Sequence, residues 1–272
     1  MLSFTSIIII SNARVLIGQI PVSSYSPSPP TPSNLSSTQE ETDTRVVLYA
    51  LMSKEKYQTI RIHIPDSDIF FILLFYVHWM DETTLLFDTG KGNKRRLINI
   101  KDIARSYSEE YRSSLLGLHA FCGCDTTSAF KGKGHVGPIK LLKKYPRFMR
   151  PLSQLGIEWE VSKGLLDELD EFTCAIYGHN GFSSVDKLRV NKFKQKCEGK
   201  ATDASRNIDL SLLPPCKKAL EQHIKRVNYQ VGIWKRSHEA KPVIPHPDGH
   251  GWIDEDGNLE PLWFRREELI PE

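Results

Sequence analysis

Five acids have the type and spacing for work on phosphodiesters: Glu41 and Asp43, two residues apart; Asp66 and Asp68, two apart; and Asp125 within a Gly-Cys-Asp-Thr-Thr segment. Crowded carboxylates repel one another and stay ionised together only when a hard cation compensates. Ligands that are all oxygen suit Mg²⁺ or Mn²⁺. Two such ions ~3.5–4 Å apart can stabilise both the attacking and the leaving oxygen of a phosphodiester displacement. The same spacing is also met by acids that merely decorate a helix start and a turn.

The opposite charge collects from Gly123 to Pro146, GCDTTSAFKGKGHVGPIKLLKKYP. Between Lys131 and Arg150 there are seven Lys or Arg and no acid. Gly132, Gly134 and Gly137 would let backbone amides approach a phosphate at a helix start. Lys131, Lys133, Lys140, Lys143 and Lys144, with His135 in the turn, would add attraction that is independent of base sequence. This is not a Walker loop, because the spacing ending in Gly-Lys-Ser/Thr is absent. A solvated basic helix face has the same composition.

These residues need a scaffold that brings them together. Glu41 to Lys56 predicts a helix, with Val46, Val47, Ala50 and Leu51 on one face and acids in the first turn, where the helix dipole favours them. Gln58 to Ile64 alternates Ile60, Ile62 and Ile64 as a strand does, and Pro65 ends it. The apolar run after Asp68 fits a buried helix or a strand. Thr83 to Asp88 predicts a strand, and Thr89 to Asn93 a turn. This order argues for an α/β sheet, in which loops at the carboxyl ends of strands converge on the ligand crevice; Asp66 and Asp68 follow such a strand. Further on, Ser162 to Tyr177 predicts an amphipathic helix, 195–209 a polar loop, and Cys216 to Ala240 a helix with Lys217, Lys218, Lys225, Arg226, Lys235 and Arg236 on its basic side. Turn signals around Trp252 predict a short hairpin.

Composition excludes several classes. With 40% hydrophobic residues in 272, the chain is too apolar for wholesale disorder, and five cysteines are too few for a disulfide scaffold. They read as thiols of a reducing, intracellular setting, and a nuclear location is expected for a nucleic-acid partner. His119, Cys122 and Cys124 form an H-x-x-C-x-C group that lacks the second pair a zinc site needs. The longest nearly uncharged apolar run, Ile69 to Met80, has 12 residues where a membrane helix needs ~20, so no membrane span is expected. Residues 1–38 change character: Ile7 to Ile10 lacks the basic start of a signal peptide, and Pro21 to Ser37 is rich in Ser, Pro and Thr. They are expected to form a flexible, partly disordered leader before a 39–155 core and a 156–272 accessory region.

The order E-x-D at a helix start, a strand leading to D-S-D, then G-C-D, a Gly-rich turn and a basic helix resembles the second half of the flap endonucleases and the wider PIN-like nuclease fold. More closely, QEETDTR, PDSD, GLHAFCGCDTTSAFKGKG and LEQHIKRVNYQVGIWKR look like mobile-element-associated animal proteins of PIN-like type. The resemblance covers roughly residues 36–263. It implies a PIN-like, Rossmann-like parallel sheet flanked by helices, with a mainly helical C-terminal extension. It implies metal ligation by Glu41, Asp43, Asp66, Asp68 and Asp125, with Asp66, Asp68 and Asp125 serving catalysis. It also implies a grip on the DNA or RNA backbone by Lys131, Gly132, Lys133, Gly134, His135, Lys140, Lys143 and Lys144. The expected cofactor is a pair of Mg²⁺ or Mn²⁺ ions, with no organic cofactor. Thr42 stands where the family has Ala, and residues 1–38 contain no strand ending in Asp. The sheet is therefore expected to be truncated at its N-terminus and the metal site incomplete.

Overall fold

In the first of the chain's two units, Ile60 and Ile62 of one strand lie in register with Leu85 and Phe87 of the next, and all four side chains are buried. The computed structural model describes residues 6–11, 14–19, 37–80, 82–197 and 209–263. The first unit comprises residues 1–112 with 233–244, the second 113–232 with 245–272.

The first unit is built on a five-stranded sheet ordered β2-β1-β3-β4-β5. Its strands are β1 (Ser6–Ser11), β2 (Arg14–Gln19), β3 (Thr59–His63), β4 (Thr84–Thr89) and β5 (Arg96–Asn99). The pairs β1/β3 and β3/β4 are parallel, whereas β1/β2 and β4/β5 are antiparallel. The fold is thus mixed α/β, and the expected parallel sheet holds for β1, β3 and β4 while both edge pairs are antiparallel. Helix α1 (Thr42–Ser53) buries Val46, Val47, Leu48 and Ala50. Helix α2 (Ser67–Tyr76) settles the ambiguous apolar run. Asp66 caps its N-terminus, accepting from the Asp68 N–H at 2.9 Å, and a helix apolar all round belongs in a core. The short helix α3 (Ile100–Ala104) follows β5.

The expectation that nothing before residue 39 joins the sheet is overturned. Ile7 to Ile10 pairs in parallel with residues 59–62 of β3 and turns back as β2. A run of β-branched residues too short for a signal peptide is long enough for a central strand. β1 nevertheless carries no acid in its sequence, SIIIIS. The Pro/Ser-rich stretch 20–36 lies outside the described residues.

The late segment 233–244 fastens to the start of the first unit. The Thr38 N–H donates to the Ala240 carbonyl at 3.0 Å, Gln39 Nε2 donates to the Ser237 carbonyl at 3.1 Å, and the Tyr76 hydroxyl donates to the Lys235 carbonyl at 2.6 Å. After β4, Gly90 adopts φ +84°, and a Cβ there would meet the Lys94 carbonyl oxygen at 2.4 Å. Both the left-handed backbone and the close approach require glycine. Gly90→Ala is expected to cost about 1–3 kcal/mol, read as a lowered denaturant midpoint at constant slope.

The second unit is helical. It draws on α4 (Glu109–Cys122), α5 (Val136–Lys144), α6 (Met149–Gln154), α7 (Lys163–Ile176), α8 (Val185–Cys197) and α9 (Lys217–Trp234), and adds the hairpin β6 (Trp252–Glu255)/β7 (Asn258–Pro261). Leu116, Phe121, Leu142, Leu152, Leu169, Phe172 and Val227 form its core. Ser162 caps α7, and buried Asp170 accepts from the Val185 N–H at 2.7 Å to fix the start of α8. The predicted loop 195–209 is corrected at its beginning, because α8 runs to Cys197. Buried Asn228 accepts from the Gly156 N–H at 2.8 Å and donates to the Glu158 and Trp159 carbonyls at 2.9 Å. Arg226 departs from its expected exposed role: only 2% exposed, it donates to the Gly251 and Leu262 carbonyls and so ties down the hairpin.

Candidate metal centre

Three of the predicted acids meet. Asp43 stands in the first turn of α1, Asp66 is the N-cap of α2, and Asp68 follows in its first turn. One carboxylate oxygen from each lies within 4.8 Å of the others. Local chemistry accounts for the placement. Pro65 halts the chain after β3, Asp66 turns it into α2, and the positive ends of two helix dipoles favour the acids. Asp68 is buried and the other two are half-buried. At ~5 Å and an effective dielectric of ~20, each pair of like charges costs about 3 kcal/mol. An all-oxygen donor set of this spacing suits a hard cation, and these three residues could hold a metal ion.

The other predicted residues fall elsewhere. Glu41 is the N-cap position of α1 and is not among the three clustered acids. Asp125 belongs to the second unit, exposed in the tight turn where Cys124 and Thr127 bridge.

The basic stretch is less open than its sequence implies. Lys131 pairs with Asp209 at 2.9 Å, Arg147 with Glu171 at 2.6 Å and Arg150 with Glu168 at 3.2 Å. Lys133 sits over the Tyr177 ring, its Nζ 4.3 Å from the centroid. The His135 ring lies tilted by 33° against that of buried His119, with centroids 5.0 Å apart. Gly132 and Gly134 have φ +74° and +54°, and the turn they make leads directly into α5, with Lys140, Lys143 and Lys144 exposed on that helix. Burial pushes the Cys122 thiol up to about 12, as befits a core residue.

A site absent from the sequence reading lies at the carboxyl ends of β3 and β4. Asp88 is fully buried. Its carboxylate accepts from Arg61 Nε at 2.9 Å, from Arg95 Nε at 2.9 Å and Nη2 at 2.7 Å, and meets His63 Nδ1 at 3.0 Å. The Arg95 hydrogen bond, offset by burial and reinforced by Arg61, holds this carboxyl well below the ordinary range. An ionised carboxylate can only accept, so the His63 Nδ1 carries the proton of that contact. The signal available in sequence was a lone Asp ending a predicted strand, and nothing local named its partners.

No family model matches the chain, and no curated protein or solved structure matches it. Fold and site together define a mixed α/β protein with a carboxylate cluster at the carboxyl end of a parallel strand. Among the described residues no helix is long and apolar enough to cross a membrane.

Proposed function

We propose that the chain is a metal-dependent nuclease of PIN-like type, acting on nucleic-acid phosphodiesters. The carrying observation is the convergence of Asp43, Asp66 and Asp68, distant in sequence yet within 4.8 Å, just past the carboxyl end of β3. The all-oxygen donor set favours Mg²⁺ or Mn²⁺. When bound, such an ion supplies an activated water and neutralises charge on the phosphate. The chain's own part is to orient the three carboxylates through the α1 and α2 N-termini. The glycine turn and the exposed lysines of α5 serve as a backbone grip for DNA or RNA. A two-ion arrangement asks for more oxygen ligands than three carboxylates provide, so a single ion fits this cluster best.

A second reading is favoured by the cluster's size and by the ion pairs of Lys131, Arg147 and Arg150: a nucleic-acid-binding protein that keeps the fold without cleaving. Incubating the chain with structured DNA and RNA in Mn²⁺ separates the two. Cleavage that is lost in Asp66→Ala and Asp68→Ala is the expected result. Salt-sensitive binding without cleavage in the unaltered chain sinks the nuclease reading and supports the second.

A further inference from the structure

Beside the Asp88 hub lies a cleft of about 270 Å³, lined among others by His63, Pro65, Lys91, Gly92 and Arg95. It occupies the position, outside the carboxyl ends of adjacent parallel strands, where α/β sheets take ligands. Of the residues that line it, Lys91 and Arg95 are basic, and the acid, Asp88, is fully buried with oxygens that already accept from two guanidinium groups; Asp66 follows the lining residue Pro65 directly in the chain. Arg95 remains 52% exposed while its Nε and Nη2 are locked onto Asp88, so a cation is held in a fixed pose at the wall of the cleft. Arg61, 29% exposed, adds a second guanidinium to the same hub. The backbone is open as well: Gly92 has φ +52°, and a Cβ there would meet nothing within 4 Å, so a ligand can approach the main chain.

We propose that this cleft is a phosphoryl-anion site, in which Arg95 and Lys91 contact the anion and Asp88 is a positioning residue that holds Arg95 and His63 in place. A planar guanidinium fixed by one carboxylate presents its remaining N–H groups in a constant direction, which suits the oxygens of a phosphate. The cleft's volume falls just below the ~300–1,000 Å³ of sites for drug-sized ligands, a size for a phosphoryl group. Pro65 of the cleft wall is followed directly by Asp66 of the carboxylate cluster, so the two lie next to each other along the chain, but the groups offered to the anion, Arg95 and Lys91, are not metal ligands.

Calorimetric titration of the full chain with inorganic phosphate, at low salt and in excess EDTA, tests it with no metal on the neighbouring acids. Saturable binding is expected, weakened severalfold by Lys91→Ala and tenfold or more by Arg95→Ala. Lys91 is exposed, so its variant stays informative should Arg95→Ala disturb the fold, which circular dichroism would report. Competition by a nucleoside 5′-monophosphate would place a phosphomonoester in the cleft. Competition instead by an oligonucleotide without terminal phosphates would place a phosphodiester there, and competition by neither would leave free phosphate as the ligand. No uptake of phosphate, or equal uptake by wild type and both variants, overturns the proposal. Loss of metal-dependent cleavage with phosphate binding intact would leave the cleft standing and remove only the nuclease reading.

Discussion

Asp88→Ala is expected to destabilise the first unit by about 3 kcal/mol, the lower end of what breaking a buried ion pair costs. The substitution strands Arg61 and Arg95 beside a cavity where a fully buried carboxylate had held both. Because those guanidinium groups are partly exposed, water recovers some of their solvation and keeps the loss from being larger. Thermal unfolding should come roughly 6–12 °C earlier. The pH dependence has a definite sign. Asp88's folded pKa lies below its unfolded value, so its contribution is complete above ~pH 5 and is lost as pH falls below ~4. Wild type and variant should therefore converge in stability under acid. A gap that stays constant from pH 7 to pH 3 would show that the lost packing, not the charge, carries the effect.

The second large effect concerns the acidic cluster. With Mn²⁺ present at ~100 times its dissociation constant, the chain should gain about 2.7 kcal/mol, a rise of roughly 5–11 °C in the melting temperature. Asp68→Asn should lose that gain. The comparison that counts is the response of each chain to the ion, wild type rising on Mn²⁺ and the variant not. Acids that only cap helices would give no response to the ion in either chain. Calorimetric scans of both chains in both buffers provide the comparison.

Much of the first unit was legible because its signals are local. β3 could be read from the alternation Ile60, Ile62, Ile64, α1 from its apolar face, and the placing of Asp66 and Asp68 just past a strand from Pro65. The convergence of Asp43 with them was an expectation that only the fold could test, since α1 and α2 are separated by all of β3. Asp88 was not legible at all. His63 and Arg61, 25 and 27 residues away, meet it because β3 and β4 pair in parallel with His63 opposite Asp88, and Arg95, 7 residues on, meets it where the chain turns back from β4 into antiparallel β5. β1 was misjudged for a different reason. Four isoleucines are too short a run to define a strand alone, and the partner that makes them one, β3, lies some fifty residues on. The ion pairs of the basic stretch are hidden by distance as well: Glu168 and Glu171, which answer Arg150 and Arg147, sit on α7, beyond the acid-free run from Lys131 to Arg150.

The return of residues 233–244 to the first unit bears on how the chain is made. As the ribosome releases the sheet strands and α2, the segment that accepts from Thr38, Gln39 and Tyr76 has not been synthesised, and at ~5–20 residues per second residues 113–232 delay it by on the order of ten seconds. During that interval the nascent sheet waits unfinished, and the helical unit waits as well, because the hairpin that Arg226 ties down lies in residues 245–272. Protein production that stops the chain anywhere before residue 233 would thus yield two units, the first without its last fastening and the second without its hairpin, and a chaperone would meet both.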